Sequence, residues 1–143
     1  MKKLIFLQTL FSVFTLMVSS ITHAEIAVIV HPSVSFDELD SNYVSRLFLG
    51  KTKRLPGGEP AIPINQDKGS DTRSNFNKKL LNKNESEYKS YWARLMFTGK
   101  ATPPKESGDD SAIIKLVSAN PNIIGYIDSS HLDGTVKIVL SIP

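Results

Sequence analysis

The sequence predicts an α/β domain: a small mixed sheet flanked by helices, in a three-layer-like sandwich. Three observations carry this. Ile26–Val30 is a continuous apolar run rich in β-branched residues, as expected of a strand buried on both faces, and Ile123–Ile127 and Val136–Ile142 read as a second apolar strand and a third. Between them lie segments whose apolar residues recur every three or four positions, the period of a helix with one buried face. These segments open on capping residues and close on Gly or Asn-Pro, so strands and helices alternate along the chain.

Residues 1–24 stand apart from this pattern. Lys2 and Lys3 precede the mostly apolar Leu4–Val18, and Thr22-His23-Ala24 places small residues where a signal peptidase cuts. The expectation is a secretory signal peptide removed after Ala24. That leaves one domain, residues 25–143, in the periplasm with no membrane anchor. The chain has no cysteine, which excludes lipid attachment at a new N-terminus, disulfides and thiolate metal sites. The formal charge of +3 counts Lys2 and Lys3. Without them the excess of basic residues shrinks to about one, and nucleic acid is not an expected partner.

Along the remaining chain, His31-Pro32 ends the first strand. Asp40 or Ser41 caps a short helix over Tyr43–Leu49, which Gly50 stops. Lys51, Lys53 and Arg54 follow, where positive charge complements a helix C-terminus and is also available to an anion or partner. Pro56-Gly57-Gly58 is a turn. Ala61–Ile64 is a short strand in which Pro63 argues for an edge position or an imperfect ladder.

Next comes Asn65–Phe76, a strand end, a polar turn and a helix start. Gly69 takes the positive φ that the turn needs, and Ser70 is the N-cap. Asp71 sits in the first turn, where the dipole favours a negative charge, and Lys78 and Lys79 sit near the end. Thr72, Phe76 and Leu80 form the expected buried stripe. A start of this kind offers free backbone N–H groups beside hydroxyls and can hold an anion. A plain Ser70 cap accounts for the same residue types.

Asn84 and Glu87 form a capping box ahead of Tyr88, Tyr91, Trp92, Leu95 and Met96, whose spacing is that of a core-facing stripe ended by Gly99. Ala101–Gly108, with Pro103-Pro104, is a loop. Asp109 or Asp110 caps a helix through Ala112, Ile113, Leu116, Val117 and Ala119, stopped near Asn120-Pro121.

Catalytic patterns are missing. His31 and His131 lie beside turns without a second ligand at metal spacing, and a cap explains Asp109-Asp110 better than a cation site does. No nucleophile elbow, zinc-protease motif or complete NTPase phosphate loop occurs. The expectation is a binding protein, not an enzyme, with no cofactor.

Several segments, in order, resemble the phosphate-binding, solute-binding proteins of ABC importers, within the type II periplasmic binding protein superfamily. Val44–Lys53 is similar to that family's "IFLGK" helix end. Ile62-Pro63-Ile64 followed by Asp67–Arg73 and Phe76 is similar to its "R-x-DGSGT…F" phosphate loop. Tyr91-Trp92 to Phe97–Lys100 is the third segment, and Ile113–Pro121 with Ile124-Gly125-Tyr126 resembles "VaanPgaIGY". Together they run over residues 26 to 128.

The resemblance implies one lobe of a type II periplasmic binding protein. It implies an oxyanion-binding loop at Gly69, Ser70, Asp71, Thr72 and Arg73, with phosphate or a related oxyanion as ligand. Membrane subunits of an ABC importer would be the partner, and a second copy of the chain would close the cleft. Three departures stand out. Asp71 replaces the family's glycine, setting a carboxylate where an anion approaches. Asn65 or Gln66 stands where the loop arginine precedes the aspartate, with Arg73 a fork on the other side. Only one lobe's length of chain is present. The rival reading keeps the fold as a non-transport interaction or sensory module of the envelope, its ligand loop altered.

Overall fold

The computed structural model describes residues 25–143; the signal-peptide expectation falls on residues 1–24 and lies outside the described residues. The elements run β1 (Ile26–Val30), α1 (Ser41–Phe48), β2 (Ile62–Asn65), α2 (Asp71–Lys79), α3 (Glu85–Phe97), β3 (Lys105–Glu106), α4 (Asp110–Ala119), β4 (Ile123–Asp128) and β5 (Lys137–Ile142). They build one five-stranded sheet in the order β3-β2-β4-β1-β5. β2 runs parallel to β3 and β4, whereas β1 runs antiparallel to β4 and β5. The sheet is mixed, as the sequence predicts.

Every residue of β1 is buried, and alternation sends them to two different cores. Ile26, Val28 and Val30 join Leu47 and Phe48 of α1, Phe76 of α2, Tyr88 and Trp92 of α3, and Ile124 and Tyr126 of β4. Ala27 and Ile29 join Ile113 and Val117 of α4, with Ile64, Ile123 and Ile127. Three helices therefore cover one face and α4 covers the other, which makes the sandwich three-layered. Both clusters are built here from residues 25–143. The larger holds an aromatic cluster in which the Phe76 and Tyr126 rings stack at 3.8 Å and Phe48 meets Phe76 edge-on at 4.8 Å.

The caps form as predicted. Asp40, Ser70, Asn84 and Asp109 each accept a backbone N–H from the first turn of their helix, and Asn84 with Glu87 completes the capping box. Gly125 sets the spacing of α4: a Cβ there would lie 2.7 Å from Ile113 Cγ2, so only glycine lets the helix approach β4 this closely.

Three local expectations need correcting. The stretch Ala101–Gly108 is not all loop, because Lys105–Glu106 pairs with Ile64–Asn65 as β3; two residues are too few to leave a periodic signal. The buried face of α2 is Arg73, Phe76 and Asn77 rather than a stripe through Thr72. Arg73 enters the interior because carboxylates meet it there. In α3, Tyr88 and Trp92 are buried, but Met96 is half exposed and lies at the helix end beyond the core.

Pro63 fits its position for a physical reason. Ile62 N–H donates to Asn122 O on the β4 side, and Asn65 O accepts from Ser107 on the β3 side. Alternation then turns Pro63 toward β3, which begins only opposite Ile64. The missing N–H therefore breaks no ladder. At the far edge, the segment before α1 lies along β5. Leu39 N–H donates to Val139 O at 2.9 Å, and Lys137 Nζ donates to Val34 O, Phe36 O and Asp37 Oδ1 at 3.0, 3.2 and 3.0 Å.

Candidate functional site

β2 and β4 are parallel neighbours, and beyond their carboxyl ends a cleft of about 660 Å³ opens between the starts of α2 and α4. Open α/β sheets place ligands at such ends. Ser70 and Thr72 line it from α2, Asp109, Asp110 and Ser111 from α4, and His131 and Asp133 from the connection that follows β4.

Gln66 is the hub. It is buried, and its Nε2 donates to Asp110 Oδ1 and to the Tyr126 carbonyl oxygen. Both of those partners are acceptors, which fixes the amide orientation and turns Oε1 toward Ser70. Ser70 Oγ–H then donates to Gln66 Oε1 at 2.5 Å, while Ser70 Oγ accepts the Arg73 N–H at 3.2 Å. The Ser70 hydroxyl proton is thus committed inside the protein. Donors that remain toward the cleft include the Thr72 and Ser111 hydroxyls, Lys68 and the first N–H groups of α2, which have no intrahelical partner.

Asp110 carries the other side of the network. Its Oδ2 meets His131 Nδ1 at 2.5 Å. The hydrogen bond to Asp110, backed by the charge of Asp110, raises the His131 pKa above its ordinary value of 6.5. The remaining carboxylates hold loops. Asp67 Oδ1 accepts the Gly108 N–H at 3.0 Å, and Asp109 Oδ1 accepts that of Ala112 at 3.0 Å. Asp133 Oδ1 accepts from both the hydroxyl and the N–H of Thr135, which lower its pKa in that order.

The residues expected to form one site separate into two groups. Ser70 and Thr72 line the cleft. Gly69 supplies the turn with φ +88°, and exposed Asp71 stands beside the cleft without lining it. The like charge expected from Asp71 comes instead from Asp67, Asp109, Asp110 and Asp133.

Arg73 leaves in another direction. It is 2% exposed, and its Nη1 donates to Gln66 O at 3.0 Å and Glu106 Oε1 at 2.9 Å, while Nη2 donates to Glu85 Oε1 at 2.9 Å. Its guanidinium lies 5.2 Å from the Tyr88 ring centroid. Burial opposes the Arg73 charge, but the hydrogen bond to Glu106 and the charge of Glu85 outweigh it and raise its pKa. Arg73 is a strut joining α2, α3 and β3, and its hydrogen-bonding fork already holds two carboxylates.

Asn65 and Gln66, standing where the family's loop arginine would be, are both buried. Tyr126 Oη–H donates to Asn65 Oδ1, and Asn65 Nδ2 donates to Tyr88 Oη at 2.9 Å. Burial pushes the Tyr88 pKa up to about 12 and that of Tyr126 higher still, so both phenols keep their protons at neutral pH. Sequence reasoning did not join Gln66, Asp110 and His131. The available signal was the Asp109-Asp110 doublet, since one carboxylate suffices for the cap.

The sequence matches no family model and no curated protein. Solved structures do match. A phosphate ABC transporter substrate-binding protein of Clostridium perfringens, with bound phosphate, aligns at TM-score 0.61 and 25% identity over 81% of this chain and 45% of that one. The fold is that of the phosphate-binding proteins of ABC importers. An ABC-type phosphate transport receptor of Vibrio cholerae (TM-score 0.65, 15% identity) and PstS of Borrelia burgdorferi (0.61, 18%) align over 81% of this chain and 46% and 47% of theirs. The chain spans less than half the length of these structures, as one lobe of the type II fold would.

Proposed function

We propose that the protein reversibly binds phosphate or a related small oxyanion, without catalysis, in the cleft at the carboxyl ends of β2 and β4. The observation that carries this is the helix start at Ser70–Thr72, which opens into that cleft in a fold whose relatives include a phosphate-bound protein. The Thr72 hydroxyl and the first amides of α2 would hold the anion, with Lys68 and protonated His131 supplying charge.

Four carboxylates line the same cleft, so the affinity expected of the lone lobe is weak. A ligand held on one side stays largely in water, where each charged contact contributes little. A second copy of the chain would close the cleft, and delivery to importer membrane subunits in the periplasm would follow from that assembly.

Calorimetric titration of residues 25–143 with phosphate and then sulfate, at low salt, tests this. Saturable heat that is lost in Thr72→Val supports the reading. No heat at millimolar phosphate from a folded protein overturns it. One observation favours a second reading: Ser70 donates to Gln66 and Arg73 holds Glu85 and Glu106, so two of the expected side-chain donors are already occupied. On that reading the protein is a non-transport interaction module of the envelope, and Thr72→Val changes nothing that phosphate reports.

A further inference from the structure

At the amino end of β2, away from the oxyanion cleft, a groove of about 690 Å³ runs between the ends of α1 and α3 and the segment Pro103–Lys105. Ile62, Pro63, Trp92, Met96, Pro103 and Pro104 give it apolar walls, and the charged residues lining it are Lys53 and Lys105. Neither lysine pairs with a carboxylate among the described residues.

Two stretches of chain meet here, since a Cβ on Gly50 would lie 3.5 Å from Ala101 Cβ. Gly50–Arg54 and Met96–Lys105 together contain Lys51, Lys53, Arg54, Lys100 and Lys105 and no Asp or Glu. All four lysines are exposed. Beside them Phe97 is 94% exposed and Met96 50%. Favourable electrostatics at helix C-termini account for the cations but not for a bare phenylalanine ring among them. Exposed aromatic and apolar side chains, in the same stretches as lysines unpaired among the described residues, form a surface suited to the interface of an anionic bilayer.

We propose that this end of the molecule docks peripherally on an anionic lipid surface. Phe97 and Met96 enter the headgroup region, and Lys51, Lys53, Lys100 and Lys105 lie against the lipid phosphates. The contact is peripheral, because no described helix is long and apolar enough to cross a membrane. A two-fold contact between copies would set lysines against lysines, and free phosphate has no use for Phe97.

The test is co-sedimentation of residues 25–143, which contain both cores and lack the apolar N-terminal segment, with phosphatidylcholine vesicles with or without phosphatidylglycerol. The proposal expects salt-sensitive binding that requires phosphatidylglycerol. Lys51→Gln and Lys53→Gln should each weaken it about fivefold, and Phe97→Ser should weaken it with unchanged thermal unfolding. The control Lys78→Gln/Lys79→Gln removes two exposed charges from α2 and should leave most binding intact. No sedimentation with anionic vesicles, equal binding to phosphatidylcholine alone, equal loss in the α2 control, or indifference to Phe97→Ser would each overturn it. Retention on immobilised polyglutamate without vesicle binding would overturn it in favour of an acidic protein partner.

Discussion

At the carboxyl end of β2 the cleft is lined mostly by hydrogen-bonding side chains, several of which already bind one another or the backbone: Ser70 to Gln66, Gln66 to Asp110, Asp110 to His131, and Asp67 to the Gly108 N–H. At the amino end of the same strand the groove has Ile62, Trp92, Met96 and prolines in its walls, and its lysines have no carboxylate partners among the described residues. A ligand entering the cleft meets a network that must be matched or displaced, whereas the groove's lysines have no salt bridge to lose among the described residues. Substitutions in the network should therefore alter folding stability together with binding. Substitutions on the groove rim should alter binding alone.

Arg73→Met is the strongest way to break this contrast, since Arg73 ties α2 to both α3 and β3. Removing one member of a buried ion pair costs about 3–5 kcal/mol. With Glu85 and Glu106 half exposed, we expect the low end of that range, read as a lower urea midpoint. Increased hydrogen exchange at Lys105 and Glu106 would show that the groove wall loosens too. A neutral outcome would mean that the strut contributes nothing and the two regions are mechanically independent.

Ser70→Ala removes the α2 cap and should cost about 1 kcal/mol by the same measurement. His131 sharpens the comparison through pH. Its pKa is raised by Asp110, so the stabilisation from that pair is fully present below the ordinary value of 6.5 and is lost as pH rises through the higher folded-state value. In an NMR titration, Asp110→Asn should return the His131 midpoint toward 6.5. An unmoved midpoint would dissolve the network at its exposed end. Smallest of all, Phe97→Ser should change stability by no more than about 0.5 kcal/mol.

Much of the architecture was legible because it rests on local signals. The β1 run, the four caps and the Gly50 and Gly99 stops each obey a short-range rule that residue types reveal. β3 was not legible, since two residues leave no period and their pairing is decided by Ile64 and Asn65 some forty positions away. The candidate site divided along the same line. Ser70 and Thr72 were readable from their place at a helix start. Whether Arg73 faced the cleft depended on Glu85 and Glu106, which only the tertiary fold brings to it. The link from Gln66 to Asp110 and His131 likewise spans three separate elements.

The segment lying along β5 has a consequence for the protein in a crowded compartment. The Leu39 N–H occupies Val139 O on the outer side of that strand and the Lys137 side chain ties the segment down beside it, while the opposite margin of the sheet ends in only two residues, Lys105 and Glu106. An exposed strand is a template for uncontrolled polymerisation. Here the middle of one margin is covered by the chain itself and the other margin is short and charged, so both edges are poor templates for a neighbouring copy.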